Sequence, residues 1–122
     1  MAEVKEQIDA VLTELKSSGD IEASAVIRRD GLMVASNLSA KIEPGTIASM
    51  AAALVGTAET TSSELKRGVF QEVIIDSEKG KIVAIGAGKL AILISVVKTE
   101  GNLGFVLISM ERAAKRVEAI LG

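Results

Sequence analysis

The stretch Pro44–Lys66, PGTIASMAAALVGTAETTSSELK, constrains this chain's fold more than any other. It reads as one long central helix. Pro44 suits a first helical turn, where its missing N–H leaves no bond unmade. The basic pair Lys66-Arg67 and then Gly68 stand where helices end. At roughly 100° per residue, Ile47, Met50, Ala51, Leu54, Ala58 and Leu65 share one face, predicted to pack on a sheet. The opposite face collects Ser49, Ala52, Ala53, Gly56, Thr60 and Ser63, all small. The only charges, Glu59, Glu64 and Lys66, sit in the C-terminal half. A surface helix normally shows water a charged back. A smooth back lets another backbone approach, so those six residues are read as a protein–protein contact. The competing reading is an Ala-rich helix chosen only for propensity. Gly56 argues against it, since mid-helix glycine costs about 1 kcal/mol relative to alanine.

The flanking segments supply the layers. Glu3–Ser17 places Val4, Ile8, Val11, Leu12 and Leu15 at helical spacing, with Gly19 as the stop. Glu22–Arg29 and Leu32–Ser36 are strands joined at Asp30-Gly31, a pair that favours a tight primed turn with φ > 0 at both positions. A loop, Asn37–Glu43, leads to the central helix. Val69–Asp76, Lys81–Gly86 and Leu90–Val97 then form an antiparallel meander. The last of these has no polar alternation and is predicted to be central, covered on both faces. The first carries Gln71, Glu72 and Asp76, as an edge strand would. Leu103–Leu121 keeps helical spacing, and Asn102 is its expected N-cap. The expected fold is therefore α+β, in the order helix-strand-strand-helix-strand-strand-strand-helix. A five-stranded antiparallel sheet carries the central helix on one face and both terminal helices on the other.

Composition narrows the chemistry. At 122 residues the chain is sized for one domain, 1–122, and its 48% hydrophobic content supplies a core. Phe70 and Phe105 are the only aromatics, so that core is aliphatic. A net charge of −2 with interspersed signs gives no basic footprint for nucleic acid. Without Trp or Tyr, base stacking is poorly served. The chain has no cysteine and no histidine, which removes disulfides, thiolate metal sites and the usual general base. The acidic, amphipathic N-terminus does not read as a secretory signal, and Leu90–Val97 is too short to span a bilayer. A cytoplasmic location is expected.

No motif for catalysis, cofactor or metal emerges. Gly86-Ala87-Gly88-Lys89 has neither the spacing of a phosphate loop nor a following helix. Glu72, Asp76 and Glu78 read as solvated edge and turn carboxylates, and no serine has a histidine partner. Basic residues at the end of the central helix (Lys66, Arg67) and on the last helix (Arg112, Lys115, Arg116) read first as complements to helix dipoles. Arg67 is the one retained as a contact for a transferring phosphoryl group in trans.

The ordered combination carries more than its parts. The hairpin IRRDGLMVASN (Ile27–Asn37), the small-residue helix, the meander and the closing NLGFVLISMERAAKRVEAI together resemble the Roadblock/dynein light chain family, in its single-domain prokaryotic form. That resemblance implies a non-enzymatic homodimer that regulates or scaffolds a small Ras-like GTPase. It implies that the two central helices pack together and that the third strands join through Phe70, Gln71, Val73 and Ile75. No catalytic residue, cofactor or metal is implied, and neither nucleic acid nor direct membrane insertion. The alternative is a small-ligand sensory domain without catalytic activity, which would need a roomy pocket with convergent polar groups.

Overall fold

The apolar segment that lacks alternation lies at the centre of the sheet. The computed structural model describes residues 3–122; Met1 and Ala2, included in the expected domain, lie outside the described residues. The elements are α1 (Val4–Lys16), β1 (Ile21–Arg28), β2 (Met33–Ser36), α2 (Pro44–Glu64), β3 (Val73–Ser77), β4 (Gly80–Ala87), β5 (Ala91–Val97) and α3 (Leu103–Leu121). The order in the antiparallel sheet is β2-β1-β5-β4-β3, so β5 is the middle strand and β2 and β3 are the edges.

Strand alternation divides the core into two layers. Val26, Val83, Ile85, Leu93 and Val97 meet Ile8, Val11, Leu12, Val106, Met110 and Val117 beneath α1 and α3. Ala25, Ile27, Ala84 and Ile92 meet Ala48, Ala51 and Val55 of α2 on the other face. The two buried polar residues of the sheet are paired: the Ser24 and Ser95 hydroxyls lie 2.9 Å apart, and the Ser24 N–H donates to Asn37 Oδ1 at 2.6 Å. Satisfaction of this kind removes the 1–3 kcal/mol or so that an unmade buried bond would cost.

Three local readings are corrected. The Asp30-Gly31 turn is not of the primed type: only Gly31 has positive φ, at 94°, and Asp30 does not. The Gly31 N–H donates to the Arg28 carbonyl at 2.9 Å and the Arg28 N–H to that of Leu32 at 2.8 Å. A type I turn closed by a left-handed glycine gives this wider loop, and the pairing register shifts next to it, at Val26/Ile27.

The central helix ends at Glu64, before Lys66, and Lys66 itself adopts φ 57°. The Lys66 N–H donates to Ser63 and the Arg67 N–H to Ser62, a Schellman closure with lysine in the position glycine favours. Left-handed backbone strains a residue with a Cβ. Lys66→Gly is expected to stabilise the protein by about 0.5–1 kcal/mol. Urea unfolding at fixed protein concentration checks this, and a destabilised variant would contradict it.

The third strand begins at Val73, four residues later than Val69–Asp76 implies. Strand parity explains the delay. Val73 and Ile75 pair with Ala84 and Ile82, which puts them on the α2 face, so residue 70 of a continued strand would point to the other side. Phe70 instead packs on Val55, Ala84 and Ile92, in the α2 layer. Burial of this phenyl ring outweighs a few further backbone pairs, and the chain peels away from β4.

Candidate functional site

The central helix is apolar almost all round, and the structure settles which way it turns. Ala48, Ala51 and Val55 face the sheet, a small-residue stripe that brings α2 close to β1 and β5. The larger side chains assigned to that role are not buried: Met50 is 62% and Leu65 67% exposed. The expected packing face is thus rotated. Leu54 is half-buried at the flank. Of the residues assigned to the helix back, Ser49, Ala53, Gly56, Thr60 and Ser63 are exposed and Ala52 is half-buried.

Rotation creates a second apolar surface beside the helix. Ile47, Met50, Ala53, Leu54 and Thr57 form one wall of a 510 Å³ groove, and Ile75, Ile82 and Ile94 form its floor. The floor residues come from β3, β4 and β5 on the α2 face, where one helix does not cover the whole sheet. A smaller 170 Å³ hollow carries the surface on to Leu38, Ile42 and Val96. β3 borders the groove, and as an edge strand it has pairing partners on one side only. An apolar groove continuous with an open strand edge is the geometry of an interaction site, since both features are normally covered or blunted.

Val73 and Ile75 lie on β3 as expected, half-buried beside the groove. Phe70 and Gln71 do not belong to the edge strand; they precede it, in the segment that turns under α2. Arg67 is exposed beyond the helix end, and its side chain joins none of the salt bridges among the described residues.

One tie was not legible in sequence. Arg29 Nη1 donates to both carboxylate oxygens of Glu59 at 2.8 Å, and Nη2 donates to the Gly88 carbonyl at 3.0 Å. Gly86 makes room for it, because a Cβ there would stand 2.8 Å from the guanidinium. With one guanidinium nitrogen on the Glu59 carboxylate and the other on the Gly88 carbonyl, Arg29 ties α2 to the β4–β5 turn. An arginine directly after an apolar strand and one of only two acids in the central helix were the available signals.

At the other end of α2, the Glu43 carboxylate caps the helix. It accepts from the Thr46 N–H at 2.7 Å, the Gly45 N–H at 3.1 Å and the Thr46 hydroxyl at 3.0 Å. The Thr46 N–H foremost, then that of Gly45, holds Glu43 below the ordinary glutamate range. A depressed folded-state pKa stabilises the fold above the unfolded value and loses that contribution as pH falls through the folded one. The stability difference between wild type and Glu43→Gln is therefore expected to be constant near neutral pH and to shrink on acidification through that range. Unfolding measured across pH checks this; a difference that grows toward acid would contradict it.

Among the described residues, no group of three or more Asp, Glu, His or Cys is placed to hold a metal ion, and no helix is long and apolar enough to cross a membrane. What the site offers is shape and apolar area. The architecture that positions it is an antiparallel five-stranded sheet between one helix and two. The model of the Roadblock/LC7 domain matches residues 7–99, and the chain belongs to that family. An uncharacterized protein of Methanocaldococcus jannaschii is 36% identical over 113 residues, which cover 93% of this chain and 98% of that one. In fold, the chain is similar to Myxococcus xanthus MglB, with TM-score 0.89 and 17% identity over 98% of this chain and 91% of that one. MglB in a tetrameric arrangement matches at TM-score 0.84 and 23% identity, again over 98% and 91%.

Proposed function

We propose that this protein is a non-enzymatic homodimeric regulator or scaffold that binds a small Ras-like GTPase in the cytoplasm. The observation that carries the dimer is the apolar groove of α2 running into the open edge of β3. A second copy related by a two-fold axis would lay its own α2 over Ile75, Ile82 and Ile94 and pair its β3 with this one. Surface and partner are then the same patch, as an isologous contact requires. The Roadblock/LC7 family assignment supports a regulatory role, and the tetrameric arrangement of MglB supports self-association. The GTPase as partner follows from the family resemblance, together with a chain that has neither histidine nor cysteine for catalysis.

In this reading Ser49, Ala53, Gly56, Thr60 and Ser63, with Met50 and Leu54 added, meet the symmetry mate, and Val73 and Ile75 join the strands. Arg67 stands beyond the helix end, free to reach a bound GTPase. Capture of partners from the native lysate, with nucleotide pools loaded with GTP or with GDP, tests the function. A small GTPase recovered in at least one state is the expected result, with recovery reduced by Arg67→Ala. Absence of any GTPase in both states would contradict the reading.

A further inference from the structure

The early departure of the chain from β4 leaves a gap in the sheet. β4 pairs with β5 as far as Ala87↔Ala91, but its pairing with β3 stops at Val73↔Ala84. Ile85, Gly86 and Ala87 therefore have a strand on one side only. Beside them lies a 470 Å³ cleft, bounded by residues 69–72 across the gap, by Arg29 and Glu59 on the α2 side and by Leu107, Glu111 and Glu118 on the α3 side. The cleft is open to both layers, as the space left by a missing stretch of strand must be. Its volume falls in the range of about 300–1,000 Å³ typical of ligand sites.

Its charge is one-sided. Arg29 and Glu59 neutralise each other. Glu72, Glu111 and Glu118 remain against Lys115, and none of these four joins a salt bridge among the described residues. Successive side chains of a strand point to opposite faces. An extended segment laid along Ile85–Ala87 would thus send alternate residues toward Glu111 and Glu118.

We infer that this notch is a strand-addition site for an extended, basic peptide segment. Backbone pairing to β4 supplies affinity, and the three free carboxylates select lysine or arginine at the positions facing α3. The inference does not rest on the GTPase reading or on the dimer.

The test uses fluorescence anisotropy of short labelled peptides added to the full chain: alternating Lys-Val, alternating Glu-Val and alternating Lys-Pro. The Lys-Val peptide is expected to bind saturably and to slow amide exchange at residues 85–87. The Glu-Val peptide is expected not to bind. Lys-Pro keeps the charge but lacks half the backbone donors, so it is expected to bind at least about tenfold more weakly. The double variant Glu111→Lys with Glu118→Lys changes exposed side chains only. It is expected to weaken Lys-Val binding by about tenfold or more. No saturable Lys-Val binding, equal binding of Lys-Pro, undiminished binding by the double variant, or protection confined to other amides would each overturn the proposal. Light scattering on the same samples reads the oligomeric state separately.

Discussion

Ala53→Asp is expected to leave a folded protein that no longer dimerises. Ala53 is exposed in the single chain, so an aspartate there meets water and folding proceeds. In the proposed dimer the same position closes the apolar groove formed with Met50, Leu54 and Ile75. Two-fold symmetry buries the new charge twice, with no cation on the groove walls to pair with it. Leaving one buried charge uncompensated costs about 3–5 kcal/mol, so even a single copy raises a dissociation constant by roughly two to four orders of magnitude. Sedimentation velocity on the variant, with circular dichroism as the folding control, reads the outcome. A folded variant that sediments as a dimer would place the interface elsewhere. Gly56→Asp sharpens the map. A Cβ at Gly56 meets nothing within 4 Å in the single chain, so a loss of self-association on that change, with the fold retained, reports a second molecule packed there.

Gly80→Ala is the second large effect, and it acts through the fold. Gly80 opens β4 directly after the turn from β3, with φ 135°, where side chains are rarely accommodated. A Cβ there would stand 2.4 Å from the Val97 carbonyl oxygen of the central strand. That oxygen is backbone and cannot swing aside, so β4 or β5 must shift. The expected loss is about 2–4 kcal/mol, from backbone strain and overpacking together. Because the displaced hairpin carries the β3 edge, weaker self-association accompanies the lower unfolding midpoint. A variant as stable as wild type would show that the hairpin relaxes without cost.

These two positions mark the limits of legibility in the sequence. Period and turn chemistry specify the element order well. LAILISVV announces a strand covered on both faces, and β5 is that strand. Asn102 announces the start of α3, and its side chain accepts the Phe105 N–H at 3.0 Å. The rotation of α2 was not legible, because an apolar helix with no charged face offers two stripes of equal merit. Ala48, Ala51 and Val55 have the same helical spacing as Ile47, Met50 and Leu54. Close approach to the sheet favours the smaller set, and that decision is made in three dimensions.

Phe70 is the second instance. Locally, VFQEVIID alternates well enough to pass for one strand from Val69 onward. Packing on Val55, Ala84 and Ile92, all at least fourteen positions away, draws residue 70 to the wrong face for pairing, and no local window contains those contacts. The consequence reaches the candidate site. The edge available for pairing shortens to Val73–Ser77, and Phe70 and Gln71 leave the proposed interface. The Arg29–Glu59 clamp is non-local in the same way, joining a strand end to the middle of a helix.

In the proposed assembly the groove beside α2 and the edge of β3 are covered by a second copy of the chain. Light scattering of the wild-type protein over a dilution series through tens of micromolar tests it most directly. The expected mass is twice that of the 12.7 kDa chain, persisting through that range. A mass of 12.7 kDa throughout would contradict it.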